Sequence, residues 1–147
     1  GALDLFKQAE KSLPPLDHPL LNLDHRGKIV FEEVSLYEKM GLAYDKLKDY
    51  GRALEYYERA LDLDPFRVVL YKSIADLYYA QGRLDQAVTW NQRGLMLSPA
   101  DYHWPLALSL LYRDKKDFTQ AKEYLNQALK LKPENQDLKN YYQELNK

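Results

Sequence analysis

The sequence predicts an all-α fold, an α-solenoid of antiparallel helix pairs, and three observations carry that prediction. Pro65, Pro99 and Pro133 stand 34 residues apart, and a fixed period of that length marks stacked supersecondary units. Within each period apolar residues recur at three or four positions, which puts them on one face of a helix. Small residues (Gly41, Ala75, Ser109) recur beside that stripe, where they let a second helix approach closely. A mid-helix glycine costs about 1 kcal/mol against alanine, so close packing is the physical reason for Gly41.

Taken in chain order, residues 2–14 read as the second helix of a partial repeat. Ala2, Phe6, Ala9 and Pro14 copy the spacing of Ala53, Tyr57, Ala60 and Pro65, although Glu10 stands where Leu61 would be. The alternative is a free helix docked on the first full unit. The partial repeat and the opening Gly1, with no methionine, point to a slice of a longer protein. Residues 15–33 exceed the period and read as an insertion, part of which extends the next helix backward, since Ile29, Val30, Val34 and Tyr37 keep a helical rhythm. Insertions of this kind map to loops on one face of an array.

Three units follow, over residues 34–67, 68–101 and 102–135. Their first helices carry Tyr37, Met40, Tyr44 and Leu47, then Tyr71, Ile74 and Tyr78, then Leu108, Leu111 and Tyr112. The turns read Lys48-Asp49-Tyr50, Gly82-Arg83-Leu84 and Lys116-Asp117-Phe118, with Gly82 suited to a helix end of positive φ. Second helices place Ala53, Tyr57, Ala60 and Leu61; Ala87, Asn91, Gly94 and Leu95; Ala121, Leu125, Ala128 and Leu129 against their neighbours. The proline closes each unit because it cannot extend a helix. Residues 136–147 form a capping helix, with Leu138, Tyr141, Tyr142 and Leu145 on one face; such arrays need a polar-backed end.

The period, small-residue positions, ring positions and terminal prolines over Val34–Asn135 resemble the tetratricopeptide repeat (TPR). The resemblance implies a right-handed superhelix of antiparallel helix pairs in a single domain, residues 1–147. The departures are Asn91 and Gly94, where a ring and an alanine are usual, and Pro105, which is tolerated only near a helix start. The third unit's first helix is therefore expected to start late or distorted, with Asp101 as a cap.

By the same resemblance the first helices line a concave groove that takes a protein or peptide partner. Its residues here are Glu38, Leu42 and Asp45, with Ser35 and Lys46; Lys72, Asp76 and Tyr79, with Val69; and His103, Leu106, Leu110 and Arg113. Leu42, Leu106 and Leu110 exceed what the packing stripe requires. They are either anchors for a ligand or covered by the insertion or a neighbouring chain. Chaperone-binding relatives clasp terminal carboxylates with lysines, asparagines and an arginine. The matching places hold Glu38, Leu42, Ser73, His103 and Ala107, so a clamp of that type is disfavoured. The other expected role is an architectural or regulatory arm of a larger membrane-associated or enzymatic protein.

Composition narrows the chemistry. The 147 residues carry 21 Lys and Arg against 22 Asp and Glu, so no global field draws the chain to nucleic acid or an anionic membrane. No direct membrane contact by this segment is expected. With no cysteine, disulfides, thiolate metal sites and thiol nucleophiles are absent together. No nucleophile elbow, phosphate loop or paired-histidine zinc motif occurs, so no enzyme activity and no cofactor are expected. The two Leu-Asp-His runs at 16–18 and 23–25 read as a turn and a helix cap rather than a metal site. The thirteen tyrosines read as packing residues. The unpaired first helix offers a face for a homodimer. Compartment is not legible.

Overall fold

The computed structural model describes residues 1–12 and 23–147, and these form helices α1 (Ala2–Ser12), α2 (Leu23–Lys46), α3 (Tyr50–Leu63), α4 (Val68–Ala80), α5 (Leu84–Leu97), α6 (His103–Asp114), α7 (Phe118–Leu131) and α8 (Gln136–Leu145). No strand occurs among the described residues. The all-α repeat fold is the one expected. The described residues gather into two units, Gly1–Leu70 and Tyr71–Lys147. A helical-repeat chain divides readily in this way because each hairpin touches only its neighbours in sequence.

Second helices open at Tyr50, Leu84 and Phe118, at the register the turn sequences predict. Asp49 and Asp117 cap two of them, accepting the backbone N–H groups of Arg52 at 3.2 Å and Gln120 at 3.1 Å; such caps contribute about 1 kcal/mol. The preceding turns share a left-handed residue at one repeat position. Gly82 adopts φ 70°, and its counterparts are Lys48 at 60° and Lys116 at 62°. Only glycine takes that conformation freely, so the two lysines store about 1 kcal/mol each. Leu47, expected on the packing stripe, lies past the end of α2 and is 66% exposed.

The insertion expected over 15–33 is largely helix where it is described. α2 begins at Leu23, eleven residues before Val34, and Ile29 is buried with Val34 and Leu36. The second Leu-Asp-His run therefore opens α2. The first run, with Pro14, Pro15 and Pro19, lies outside the described residues. In unit 1, α1 packs on α2, and Glu10 reaches Arg59 of α3 at 3.0 Å. No residue of α1 is fully buried, unlike Ala53, Tyr57 and Ala60 of α3.

Side-chain volumes exchange between paired positions from repeat to repeat. At Gly41 an added Cβ would lie 2.5 Å from the Tyr57 ring, so the glycine makes room for the ring. The same two positions hold Ala75 and the smaller Asn91 one period later, and Ser109 and Leu125 two periods later; all four are buried. Asn91 keeps its amide satisfied by donating to the Ala87 carbonyl at 2.9 Å, and Ser109 donates to the Ala121 carbonyl at 2.7 Å. Gly94 replaces the Ala60 of unit 1 because Trp104, standing one period after Leu70, lays its ring there. A Cβ on Gly94 would meet that ring at 2.4 Å.

α6 starts at His103 rather than at position 102, the register of Val68. Pro105 sits in its first turn, fully buried. The N-cap is Tyr102, which makes no side-chain cap bond; Asp101, expected to cap, stands one residue earlier and accepts the His103 backbone N–H at 3.0 Å. α8 closes unit 2: Leu138 is buried against Leu125 and Ala128, with Tyr141, Tyr142 and Leu145 around them.

Candidate functional site

The tyrosines form a repeated seam of rings and cations within each unit. Tyr44 stacks on Tyr56, and Tyr112 on Tyr124, both with centroids 5.5 Å apart. Tyr37 tilts against Tyr56, and one period later Tyr71 tilts against Trp90. Arg59 lies 5.1 Å over Tyr56, and Arg93, one period on, lies 4.6 Å over Trp90. Each ring pair contributes about 0.5–1.5 kcal/mol beyond its area and each exposed cation about 0.5–1 kcal/mol. This seam is structural, and it removes most rings from any binding role.

Tyr79 is different. It is 51% exposed, and its hydroxyl donates to Asp114 Oδ2 at 2.9 Å, a bond that raises the phenol's pKa above its ordinary value. Arg113 holds the other oxygen of Asp114 at 3.1 Å and lies over the Tyr141 ring. These groups rim a pocket of about 210 Å³ between α4 and α6. Ala75, Ala107, Leu110 and Leu111 give it an apolar lining, and the buried Asn91 also faces it. A pocket for a small-molecule cofactor holds about 300–1,000 Å³, so this one is sized for one or two side chains.

The expected groove residues divide by environment. In unit 2, Asp76, Tyr79, Leu110 and Arg113 meet at this pocket. Lys72 pairs with Asp76, and Arg113 with Asp114, so neither cation is the uncommitted orienting charge that the sequence suggests. Leu106 is no surplus hydrophobe: it packs against Leu125, Ala128 and Leu138. Leu106 and Leu110 sit one turn apart on the same face of α6, so position along the helix separates them: Leu106 meets α7 and α8, and Leu110 meets the pocket. His103 stays exposed beside Asp101, its Nδ1 2.7 Å from the carboxylate. Burial pushes the Asp101 carboxyl's pKa up, but the backbone and ring of His103 outweigh it and hold it below the ordinary value.

In unit 1, Glu38 accepts two hydrogen bonds from Arg67, the shorter at 2.7 Å. Leu42 is 47% exposed and faces α1 across a wider cleft. Asp45 has interactions of its own and lines neither this cleft nor the unit 2 pocket. Sequence reasoning missed Asn91 and Asp114, and it named Ala107 only as a vacant clamp position. Asn91 left one signal, a polar side chain at a ring position.

Among the described residues, no group of three or more His, Asp or Glu is placed to hold a metal ion. No helix among them is long and apolar enough to cross a membrane.

Repeated helical hairpins, a ring seam and shallow polar-rimmed pockets define a helical-repeat protein. Residues 34–66 and 106–135 each match the tetratricopeptide repeat. The fold agrees: the N-terminal domain of stress-induced protein-1 from C. elegans aligns with TM-score 0.74 at 19% identity, over 80% of this chain and 98% of that one. The first TPR of Spaghetti (RPAP3) bound to HSP90 peptide SRMEEVD aligns with TM-score 0.67 at 19% identity, over 78% and 91%. Residues 34–66 and 106–135 thus carry tetratricopeptide repeats. In sequence the chain is similar to photosystem I assembly protein Ycf3 of Prochlorococcus marinus, strains NATL2A and NATL1A. Each is 29% identical over 119 residues, spanning 69% of this chain and 69% of the relative.

Proposed function

We propose that the chain is a non-catalytic protein–protein interaction scaffold whose second unit receives a segment of a partner over Tyr79 and Leu110. The observation that carries this reading is the side-chain-sized pocket between α4 and α6, with a half-exposed tyrosine at its rim. Its cations and carboxylates are already paired. An apolar side chain of the partner supplies the anchor, and the Tyr79 hydroxyl oxygen, as an acceptor, supplies direction. Relatives named as an assembly protein and a neighbour with a bound peptide support a protein partner.

Selection of a phage-displayed peptide library on the chain tests this. Selected peptides are expected to lose about tenfold or more in affinity on Tyr79→Ala and on Leu110→Asp, the usual scale for an anchor residue, with helical circular dichroism unchanged. Folded variants that bind those peptides undiminished would overturn the site.

The reading also excludes the carboxylate clamp. A ligand carboxylate would meet Glu38, already satisfied by Arg67, and Leu42, which offers no hydrogen bond. Titration calorimetry with the SRMEEVD peptide is expected to give no binding heat, and micromolar affinity would contradict the exclusion.

A further inference from the structure

Between α1 and α2 lies a cleft of about 850 Å³, with Leu3, Phe6, Leu42 and Leu47 among its walls. Its charges are one-sided in what they leave open. Four cations, Lys7, Lys39, Lys46 and Arg52, line it against two carboxylates, Asp4 and Asp49. Asp49 is spent on the α3 cap and on the Arg52 guanidinium at 3.6 Å. Lys7, Lys39 and Lys46 line the same cleft and make no ion pair among the described residues. Exposed leucines amid a net excess of cations form a surface suited to an anionic, apolar counterpart.

We propose that this cleft binds an acidic amphipathic helix of a partner protein. Leucine-like side chains enter between α1 and α2, and flanking carboxylates meet Lys7, Lys39 and Lys46. The cleft runs between two helices, and Leu3 and Phe6 stand three residues apart on one wall, the spacing that a helix laid in a groove matches. A second copy of this chain fits worse, since a two-fold contact presents the same three lysines from both sides. Single-stranded nucleic acid fits worse too, because leucines give bases nothing to stack on. The proposal goes beyond the pocket over Tyr79 and shares with it only the premise of a protein partner.

Fluorescence anisotropy on the full chain tests it. The probe is a labelled, amidated helical peptide of about four turns, with leucine at i, i+3, i+4 and i+7, glutamate on the flanks and alanine elsewhere. Binding is expected to weaken at least about tenfold in the Lys7→Glu, Lys39→Glu, Lys46→Glu triple variant, and to weaken with rising salt. Leu42→Asp should weaken it as well, and Tyr79→Ala should leave it unchanged. The inference is overturned if the acidic peptide fails to bind or if its lysine-flanked counterpart binds equally well. It is overturned if the triple variant binds normally or if Tyr79→Ala abolishes binding. Capture by phosphatidylserine vesicles in place of the peptide, or a concentration-dependent dimer broken by Leu42→Asp, would also overturn it. Loss of the library peptides on Tyr79→Ala beside a failed acidic-helix experiment would leave the unit 2 site standing and remove only this one.

Discussion

Gly94→Ala is expected to destabilise unit 2 by about 1–3 kcal/mol, the usual cost of overpacking a tight site. Helix propensity alone predicts the reverse, since alanine gains about 1 kcal/mol over glycine inside a helix. Geometry decides the sign. The new Cβ would lie 2.4 Å from two atoms of the Trp104 ring and 2.7 Å from a third. That ring is 5% exposed and cannot swing aside without opening a void. Trp104→Leu should relieve the clash, because unit 1 already carries Leu70 and Ala60 one period earlier, both fully buried. The double variant is therefore expected to be more stable than the sum of its two single changes by at least about 1 kcal/mol. It also removes an indole N–H that has no partner among the described residues. Both tryptophans of the chain, Trp90 and Trp104, lie in unit 2, so urea unfolding followed by tryptophan fluorescence reads the right unit. A Gly94→Ala protein more stable than the parent would refute the packing argument.

The helices were legible because each carries its own punctuation. Prolines end the units, apolar spacing marks the faces, and Asp49 and Asp117 cap helices at the register their positions suggest. The exchange of bulk between Gly94 and Trp104 was not legible. One sequence shows an unusual glycine and an unusual tryptophan, and nothing local says that they touch. The left-handed turns were one-third legible: Gly82 announced itself, while Lys48 and Lys116 share its conformation with an ordinary side chain.

The candidate site divides in the same way. Tyr79, Leu110, Asp76 and Arg113 were found through the resemblance to the tetratricopeptide repeat, whose first helices line a groove. The pairing of Arg113 with Asp114 depends on side-chain rotamers, and the core role of Leu106 on where α7 and α8 meet α6 along its length. Spacing within one helix fixes neither. The α1–α2 cleft depends on where α1 docks, which the sequence leaves open, so its lysines read as scattered surface charge. Where function rests on what a surface lacks, only the assembled contacts reveal it.

Tyr57→Ala is expected to cost unit 1 about 3–5 kcal/mol, the range for truncating a buried ring. Tyr57 is 2% exposed and its ring occupies the space a side chain at Gly41 would need. Truncation therefore leaves two helix backbones facing an empty volume with no Cβ on the α2 side to narrow it. Unit 2 holds the design for a repair, since Ser109 and Leu125 fill the equivalent positions with both side chains buried. Tyr57→Leu should accordingly cost less than Tyr57→Ala. Adding Gly41→Ala to Tyr57→Leu should recover stability, whereas Gly41→Ala alone should destabilise by overpacking against the intact ring. That reversal of sign with the partner's identity is the signature of direct contact, because a propensity effect would favour alanine in both backgrounds. Circular dichroism during urea unfolding should show an early transition for Tyr57→Ala that tryptophan fluorescence, confined to unit 2, does not follow. A Gly41→Ala change that stabilises both backgrounds equally would mean that the ring is not what requires the glycine.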